Sequence, residues 1–246
     1  MSFGTPVLSL RGATKRFGGL VAVDAIDFEV SEREVIGLIG PNGSGKSTTL
    51  DLISGAQKPT AGAISLRGAP IAGLPPRKIS RRGVARTFQL TRLLASMTVS
   101  ENVLAGAVFG HRRRWGAEAR AHADALLERV GLAGKGHMRA GQLTYIDAKR
   151  AELARALAGD PDLLLLDEWL AGLNPSELGI GIGLIGSLRA EGRSIVLVEH
   201  VMDAIRSLCD RCVVMASGGK IAEGAPEEVL SDPEVVRAYL GDEDGD

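Results

Sequence analysis

One eight-residue segment constrains the fold of this chain more than any other. Residues 40–47 read Gly-Pro-Asn-Gly-Ser-Gly-Lys-Ser and fit the pattern G-x-x-x-x-G-K-[ST] at every fixed position. The segment follows an apolar run at residues 35–39 and precedes a helical pattern, which is the strand–loop–helix context that the pattern requires. Glycines permit the tight turn, and backbone N–H groups then converge on an anion. We therefore predict a phosphate-binding loop.

The residues of this loop have separate roles. Lys46 supplies a point charge for the β- and γ-phosphates of a nucleotide, and the Ser47 hydroxyl is a ligand for Mg²⁺. The helix that begins near Lys46 adds its positive N-terminal end. The predicted ligand is ATP or GTP, with Mg²⁺. The predicted binding set is Gly40, Pro41, Asn42, Gly43, Ser44, Gly45, Lys46, Ser47 and Thr48.

Composition limits the other classes of function. The chain has 246 residues, 45% of them apolar, enough for one large α/β domain with a sizeable core. A net charge of −1 gives no electrostatic reason to expect a nucleic-acid partner. The apolar stretches at 162–166 and 178–188 are shorter than the ~20 residues that span a bilayer, and residues 1–6 lack the features of a secretory signal. We expect a cytosolic protein that does not itself cross a membrane.

The apolar patterns predict an α/β fold with a helical insertion. Strand patterns occupy residues 7–10, 25–30, 34–39 and 63–66, and a helix is predicted over 46–53. From Pro75 to about Ala158 the spacing is helical, most clearly over 98–109, 117–130 and 146–158. Beyond it, patterns alternate: a strand over 163–166, a helix from Ser176, a strand over 195–198, a helix from Val201, and strands around Val213 and Lys220. Alternation of this kind predicts a parallel core sheet.

Polar side chains follow two of the predicted core strands. Asp167 and Glu168 come directly after four leucines, and a buried parallel strand delivers such side chains to the cleft at its carboxyl end. We expect Asp167 to hold Mg²⁺ through water, and Glu168 to polarise a water for attack on the γ-phosphate. His200, after the strand at 194–198, is placed to sense that phosphate through a hydrogen bond. An exposed acidic loop and an ordinary core histidine are the alternatives.

Two other local features need no ligand. Cys209 and Cys212 form a lone C-x-x-C without a second Cys or His pair nearby, so a tetrahedral metal site is disfavoured and we interpret both as packing residues. The helix from Ser176 contains four glycines, each of which disfavours a helix by about 0.5–1 kcal/mol relative to alanine, so we expect close packing to hold it. The acidic residues 241–246 are expected to be frayed.

The order of these motifs, over about residues 6–240, resembles the nucleotide-binding subunit of an ATP-binding-cassette (ABC) transporter. The resemblance implies ATP as the nucleotide, Gln89 in a loop that contacts Mg²⁺ and couples to membrane subunits, and Phe17 as the ring that stacks on adenine. The implied fold is α/β: a P-loop NTPase (RecA-like) parallel-sheet core with an N-terminal antiparallel β-subdomain and an inserted α-helical subdomain. The implied domain is 5–242, with a core of 5–90 and 159–242 and a helical subdomain of 91–158.

Within that family the chain is most similar to the ATPases of hydrophobic and branched-chain amino-acid uptake systems. The similarity lies in the segments 17–23, 83–89, 97–103, 171–175 and 236–241. It implies uptake of branched-chain amino acids or a related small organic solute, and a peripheral position on the cytoplasmic face of the cell membrane. The implied partners are integral-membrane permease subunits, a second ATPase subunit that is a copy or a paralogue, and indirectly a solute-binding protein.

One segment departs from the family pattern. The signature that contacts the ATP of the opposite subunit is normally Leu-Ser-Gly-Gly-Gln, and this chain has Leu143-Thr144-Tyr145-Ile146-Asp147. Thr144 keeps a hydroxyl that can donate to a phosphate. Ile146 replaces a glycine that allows close approach, and Asp147 brings a negative charge toward the phosphates unless it caps the following helix. Trp169 also stands where the family usually has proline. We expect slow hydrolysis by the isolated protein.

Other classes remain as alternatives. An exporter ATPase is possible because the membrane subunits set the direction of transport. A soluble ABC ATPase of translation or DNA repair typically has two cassettes or a long coiled-coil insertion, and 246 residues leave room for neither. A GTPase would need Asn-Lys-x-Asp, which is absent from the sequence, and a P-loop kinase would not need the glutamine loop or the strand-end histidine.

Overall fold

The structure, a computed structural model, describes residues 6–240 as two β-sheets with helices packed around them. The strands are β1 (Leu8–Phe17), β2 (Leu20–Val30), β3 (Val35–Ile39), β4 (Ala61–Leu66), β5 (Ala69–Pro70), β6 (Val84–Arg86), β7 (Leu163–Asp167), β8 (Ser194–Val198), β9 (Arg211–Ala216) and β10 (Gly219–Gly224). The helices are α1 (Lys46–Ser54), α2 (Pro76–Ser80), α3 (Val99–Phe109), α4 (Gly116–Arg129), α5 (Tyr145–Ala158), α6 (Pro175–Ala190), α7 (Met202–Leu208), α8 (Pro226–Leu230) and α9 (Pro233–Leu240). The predictions made for residues 1–5 and 241–246 lie outside the described residues.

The larger sheet has the strand order β10-β9-β3-β8-β7-β6, and its strands run parallel except β10, which is antiparallel to β9. This confirms the predicted parallel core. Strand β3 lies between β8 and β9, and β8 also pairs with β7. Because parallel strands end at one edge of a sheet, the segments that follow β3, β7 and β8 emerge side by side.

Side chains of the core strands alternate between two apolar clusters. Leu164 and Leu166 of β7 face a cluster built with α3–α7, whereas Leu163 and Leu165 face the second sheet and α1. All four leucines are at most 1% exposed. Burial on both faces explains why these strands are continuous apolar runs rather than alternating patterns. Truncating one such leucine to alanine costs about 2–5 kcal/mol in a close-packed core.

The smaller sheet is antiparallel, with the order β2-β1-β4-β5, and confirms the N-terminal β-subdomain. The strand patterns at 7–10 and 25–30 are the ends of the longer strands β1 and β2. The pairing of β1 with β2 has register shifts around residues 10–16 of β1, which interrupt the simple alternation that the sequence pattern depends on. The turn between them leaves Phe17 at the end of β1.

The prediction of helix from Pro75 to Ala158 is wrong at Val84–Arg86, which forms the edge strand β6 beside β7. Three residues are too few to show a period of two, so only pairing with β7 identifies this strand. Helices α3, α4 and α5 follow it as the inserted helical segment. No helix within residues 6–240 is both long enough and apolar enough to cross a membrane.

Packing explains only part of the glycine content of α6. A Cβ at Gly181 would lie 2.6 Å from the Leu170 side chain and 3.2 Å from the Trp169 ring, so this position needs glycine. Gly179 and Gly183 have open space around them, and the expectation of close packing is wrong for both. The capping box of Asn174 with Glu177 fixes the start of the helix. The predicted packing residues Cys209 and Cys212 are buried free thiols against Gly37.

Candidate functional site

Residues 40–47 form the loop between β3 and α1. Gly45, the residue before α1, is left-handed with φ 102°, and a Cβ there would lie 2.4 Å from the Ala22 carbonyl oxygen. A Cβ at Gly40, whose φ is 144°, would lie 2.0 Å from the Met215 carbonyl oxygen. Both positions therefore require glycine. No side chain in the described part of the chain caps α1, so its first N–H groups are left for an anion.

The Lys46 side chain is held inside this loop. It is 5% exposed, and its Nζ donates to the carbonyl oxygens of Gly40 and Pro41 at 2.7 Å each. A buried ammonium needs such acceptors because desolvation disfavours an unpaired charge. These contacts hold the Lys46 ammonium against the backbone at the start of the loop.

The loop lines a cleft of about 590 Å³, within the roughly 300–1,000 Å³ typical of ligand sites. Phe17, a residue that is 44% exposed, lines the same cleft next to Leu20 and Val21 of β2. The Lys15 Nζ lies 4.7 Å from the centre of the Phe17 ring. An exposed aromatic face beside a phosphate-binding loop can stack on a planar base.

Three residues predicted separately meet at one carboxylate. Glu168 lines the cleft, and its Oε2 accepts a hydrogen bond from Gln89 Nε2 at 2.7 Å. Its Oε1 lies 3.1 Å from His200 Nε2. Glu168 has a left-handed backbone, φ 47°, and its N–H donates to the Val198 carbonyl oxygen at 2.9 Å. A strained residue held by its neighbours is typical of functional sites.

Asp167 is buried behind the cleft and paired with a residue that sequence reasoning missed. Its Oδ2 accepts from Arg86 Nη2 at 2.7 Å, and the Arg86 Nη1 donates to Asp51 of α1 at 2.6 Å. The Asp167 Oδ1 is buried without a hydrogen-bond partner among residues 6–240. Arg86 ends the short edge strand β6, which the sequence pattern did not identify, so no local signal marked it as the partner of Asp167.

Glu199 is a second buried carboxylate that the sequence did not single out. It is 1% exposed, and its Oε1 accepts from the Leu170 N–H at 2.6 Å. Burial raises the pKa of Glu199 from 4.5 to about 7, against the opposing effects of that N–H and of the Lys149 charge. Glu199 lies directly between β8 and His200, so its hydrogen bond joins the segment after β8 to the segment after β7.

The signature segment does not line the cleft of its own chain. Thr144 caps α5, and its side chain accepts from the Asp147 N–H at 3.3 Å. Asp147 is buried and ion-paired with Lys135 at 2.5 Å and Arg150 at 3.5 Å. Cations of the same chain thus compensate the Asp147 carboxylate at the N-terminus of α5, which weakens the predicted repulsion of the phosphates.

Known proteins similar to this chain point to one family. Residues 23–171 match the family model described as ABC transporter, and residues 220–245 match Branched-chain amino acid ATP-binding cassette transporter. The chain is 42% identical to the high-affinity branched-chain amino acid transport ATP-binding protein LivG of Salmonella typhimurium, over 96% of this chain and 98% of LivG.

Solved structures agree with this assignment. The ADP conformation of MJ1267, an ATP-binding cassette of an ABC transporter, matches with a TM-score of 0.87 and 31% identity, covering 97% of this chain and all of that one. The dimeric post-hydrolysis structure of the cassette MJ0796 bound to ADP and Pi matches with a TM-score of 0.81 and 26% identity, covering 89% and 98%. The chain therefore belongs to the ABC transporter family, as one of its nucleotide-binding ATPase subunits.

Proposed function

We propose that this ATPase powers an importer of branched-chain amino acids or a related small organic solute. The main support for an ATPase site is that Gln89 and His200 both form hydrogen-bond contacts with the Glu168 carboxylate. Glu168 lies in the cleft that the phosphate loop lines. The match of residues 220–245 and the similarity to LivG support the solute class.

In the proposed site, the backbone N–H groups of residues 40–47 and Lys46 bind the ATP phosphates, and Phe17 stacks on adenine. Ser47, Asp167 and Gln89 hold Mg²⁺ together with phosphate oxygens. The buried, unpartnered Asp167 Oδ1 supports this, because a metal-bound water would satisfy it. When bound, Mg²⁺ neutralises charge that develops on the phosphates. Residues 6–240 contain no cluster of three acidic, His or Cys side chains for a metal, in keeping with a site that phosphate completes.

In the same proposal Glu168 is the general base. Its carboxylate accepts the proton of the attacking water. Gln89 and His200 orient this carboxylate through the hydrogen bonds described above. His200 then donates to the γ-phosphate, which makes the site sensitive to that group. A general base typically raises the reaction rate by about 10²–10⁴-fold, so we expect loss of Glu168 to lower the rate of ATP hydrolysis by a similar factor.

The proposed working unit contains two ATPase subunits, either two copies or this chain with a paralogue. In this unit, Thr144 of each subunit contacts the nucleotide bound by the other. Its position at the start of α5, outside the cleft of its own chain, supports this contact. The dimeric form of MJ0796 supports this arrangement. We retain the division of residues 5–242 into a core of 5–90 and 159–242 and a helical subdomain of 91–158 as part of the proposal.

Permease subunits are the proposed membrane partners, with the ATPase peripheral on the cytoplasmic face and a solute-binding protein acting indirectly. A second groove, of about 370 Å³, lies between α2, α3 and β6. Phe109, a residue that is 65% exposed, lines this groove, and Phe88, which also lines it, is followed directly by Gln89. Leu90 and Leu94, at 78% and 53%, expose further apolar surface nearby in sequence. A cytoplasmic segment of the permease placed here would contact the glutamine loop.

The experiment is reconstitution of the chain with its permeases and solute-binding protein in vesicles. We expect ATP-dependent accumulation of labelled leucine, isoleucine or valine, and none with Lys46→Ala. ATP hydrolysis that is stimulated by none of these solutes would refute the solute class and leave the ATPase assignment standing. Solute efflux driven by the same vesicles would favour the exporter alternative.

A further inference from the structure

Helix α5, which begins at the signature segment, is bonded to the peptide that follows Glu168. Lys149 Nζ donates to the carbonyl oxygens of Glu168 and Trp169, at 3.0 Å each. The Trp169 indole Nε1 donates back to the Lys149 carbonyl oxygen at 3.1 Å. Lys149 and Trp169 are each 1% exposed, so these bonds are shielded from water.

A second contact joins the same two segments one helical turn earlier. The Tyr145 hydroxyl donates to the Ala171 carbonyl oxygen at 3.2 Å. The Tyr145 ring also lies 3.3 Å from where a Cβ at Gly172 would be, so glycine permits the close approach. Lys149 Nζ is 5.0 Å from the centre of the Tyr145 ring. Tyr145 and Lys149, at i and i+4, therefore face the segment 168–172 together.

These bonds constrain the backbone of Glu168, the proposed general base. Glu168 is left-handed, with its N–H bonded to β8 through Val198 and its carbonyl oxygen bonded to α5 through Lys149. A non-glycine residue keeps such a conformation only where its surroundings determine it. The direction of the Glu168 carboxylate therefore depends on where α5 places Lys149.

We propose that Lys149 is a positioning residue that ties the signature segment of one subunit to Glu168 in the same subunit. Because Thr144 caps α5, its docking on the opposite nucleotide moves Lys149 and Trp169, and the movement aligns Glu168 for hydrolysis in its own cleft. The two nucleotide sites of the dimer are thereby coupled through each chain. This inference rests on the proposed roles of Glu168 and Thr144.

The buried indole of Trp169 provides a spectroscopic test. The chain has two tryptophans, and Trp115 is 61% exposed, so Trp115→Phe leaves Trp169 as the sole emitter. In a Trp115→Phe, Glu168→Gln protein, saturating MgATP is expected to shift the Trp169 emission. Adding Lys149→Met should abolish that shift while the dissociation constant for a fluorescent ATP analogue stays within about twofold. Lys220→Met, on β10, is the matched control and should keep the shift.

Steady-state hydrolysis, measured without Glu168→Gln, gives a second readout. Lys149→Met is expected to lower kcat about tenfold with KM for ATP nearly unchanged, which is the sign of an interaction that acts on the chemical step. Lys149→Arg, which keeps two donors, should recover most of the rate. A kcat within twofold of the parent in a folded Lys149→Met protein would overturn the proposal, as would an ATP-induced Trp169 shift that persists in this variant.

Two further variants keep the test decisive. If Lys149→Met does not fold, Lys149→Gln keeps a polar side chain but removes the ammonium that donates to both carbonyl oxygens, and an unchanged kcat in that variant overturns the proposal. Glu168→Gln separates the two levels of inference. Parental hydrolysis by Glu168→Gln would refute the proposed base, whereas an inactive Glu168→Gln with a fully active Lys149→Met would refute only the coupling.

Discussion

Arg86 donates to Asp167 across 2.7 Å, and the two side chains are only 7% and 6% exposed. Arg86 lies on the edge strand β6, Asp167 ends β7, and the second guanidinium bond of Arg86 reaches Asp51 on the helix of the phosphate loop. The pair thus fixes the proposed magnesium ligand relative to the loop before any nucleotide binds. The remaining Asp167 oxygen has no hydrogen-bond partner in the described part of the chain, and it is the oxygen that we propose accepts from a metal-bound water.

Arg86→Met is expected to destabilise the protein by about 3–5 kcal/mol, because it leaves a buried carboxylate without its cation. Urea unfolding of the nucleotide-free protein measures this. Arg11→Met is the matched control, since the Arg11–Glu29 pair is 77% and 47% exposed and such pairs contribute at most about 1 kcal/mol. Equal losses in both variants would contradict the structural role of the buried pair.

Lys46→Ala is expected to weaken MgATP binding by roughly 10–150-fold, the equivalent of about 1.5–3 kcal/mol for hydrogen bonds to a charged group. Titration calorimetry measures it. Lys220→Ala, distant in sequence and paired with Glu223 on β10, should bind as the parent does. Unchanged affinity in Lys46→Ala would remove the basis for the proposed phosphate contact.

Glu168→Gln is expected to slow hydrolysis by about 10²–10⁴-fold while sparing binding, because an amide cannot accept the proton of the attacking water. Bound ATP should then trap the dimer, which size-exclusion chromatography with MgATP detects. Lys46→Ala, which lacks the nucleotide contact, should stay monomeric under the same conditions. A Glu168→Gln protein that stays monomeric and hydrolyses ATP at the parental rate would contradict the assignment of Glu168 as the general base.

Glu199 predicts a dependence of stability on pH. Its pKa is raised by burial from 4.5 to about 7, so between these values the folded state binds more protons than the unfolded state. The free energy of unfolding therefore falls as pH rises through this window, by up to about 3 kcal/mol from this group. Glu199→Gln should be more stable than the parent at pH 8 and similar at pH 4.

Chemical unfolding of both proteins at the two pH values measures this difference. Effects of other carboxylates cancel in the comparison. Glu118→Gln, whose carboxylate is 74% exposed, is the control and should show no such pH-dependent gain. A difference that does not change between pH 4 and pH 8 would rule out a raised pKa at Glu199.

The two departures in the signature segment should behave differently. Ile146→Gly is expected to raise kcat in the assembled transporter, because it permits close approach to the opposite nucleotide; a tenfold gain corresponds to about 1.4 kcal/mol. Asp147→Gln should instead lower the melting temperature, since it removes the partner of Lys135 and Arg150. An Ile146→Gly protein with an unchanged kcat would make the departure a harmless variant.

The amino-acid sequence was sufficient to predict the phosphate loop, the parallel core and the family. These follow from contiguous segments: a loop pattern with fixed glycines, and apolar runs whose period depends on which faces of a strand are buried. The positions of Glu168 and His200 after core strands also predicted them as site residues, whereas Gln89 was predicted only through the family resemblance. Short elements could not be predicted in this way. Strand β6 is an example, because three residues are too few to show the two-residue period of a strand.

Only the tertiary structure decided which side chains meet. Gln89 and His200 are 79 and 32 residues from the carboxylate that both contact. The partners of Asp167 and Lys149 are likewise set by packing of separate elements, and neither follows from a local pattern. Buried polar groups must find partners wherever the fold places them, since leaving them unpaired is costly. Because those partners lie far apart in the sequence, local patterns identify the polar groups, and the folded structure is needed to show which of them are in contact.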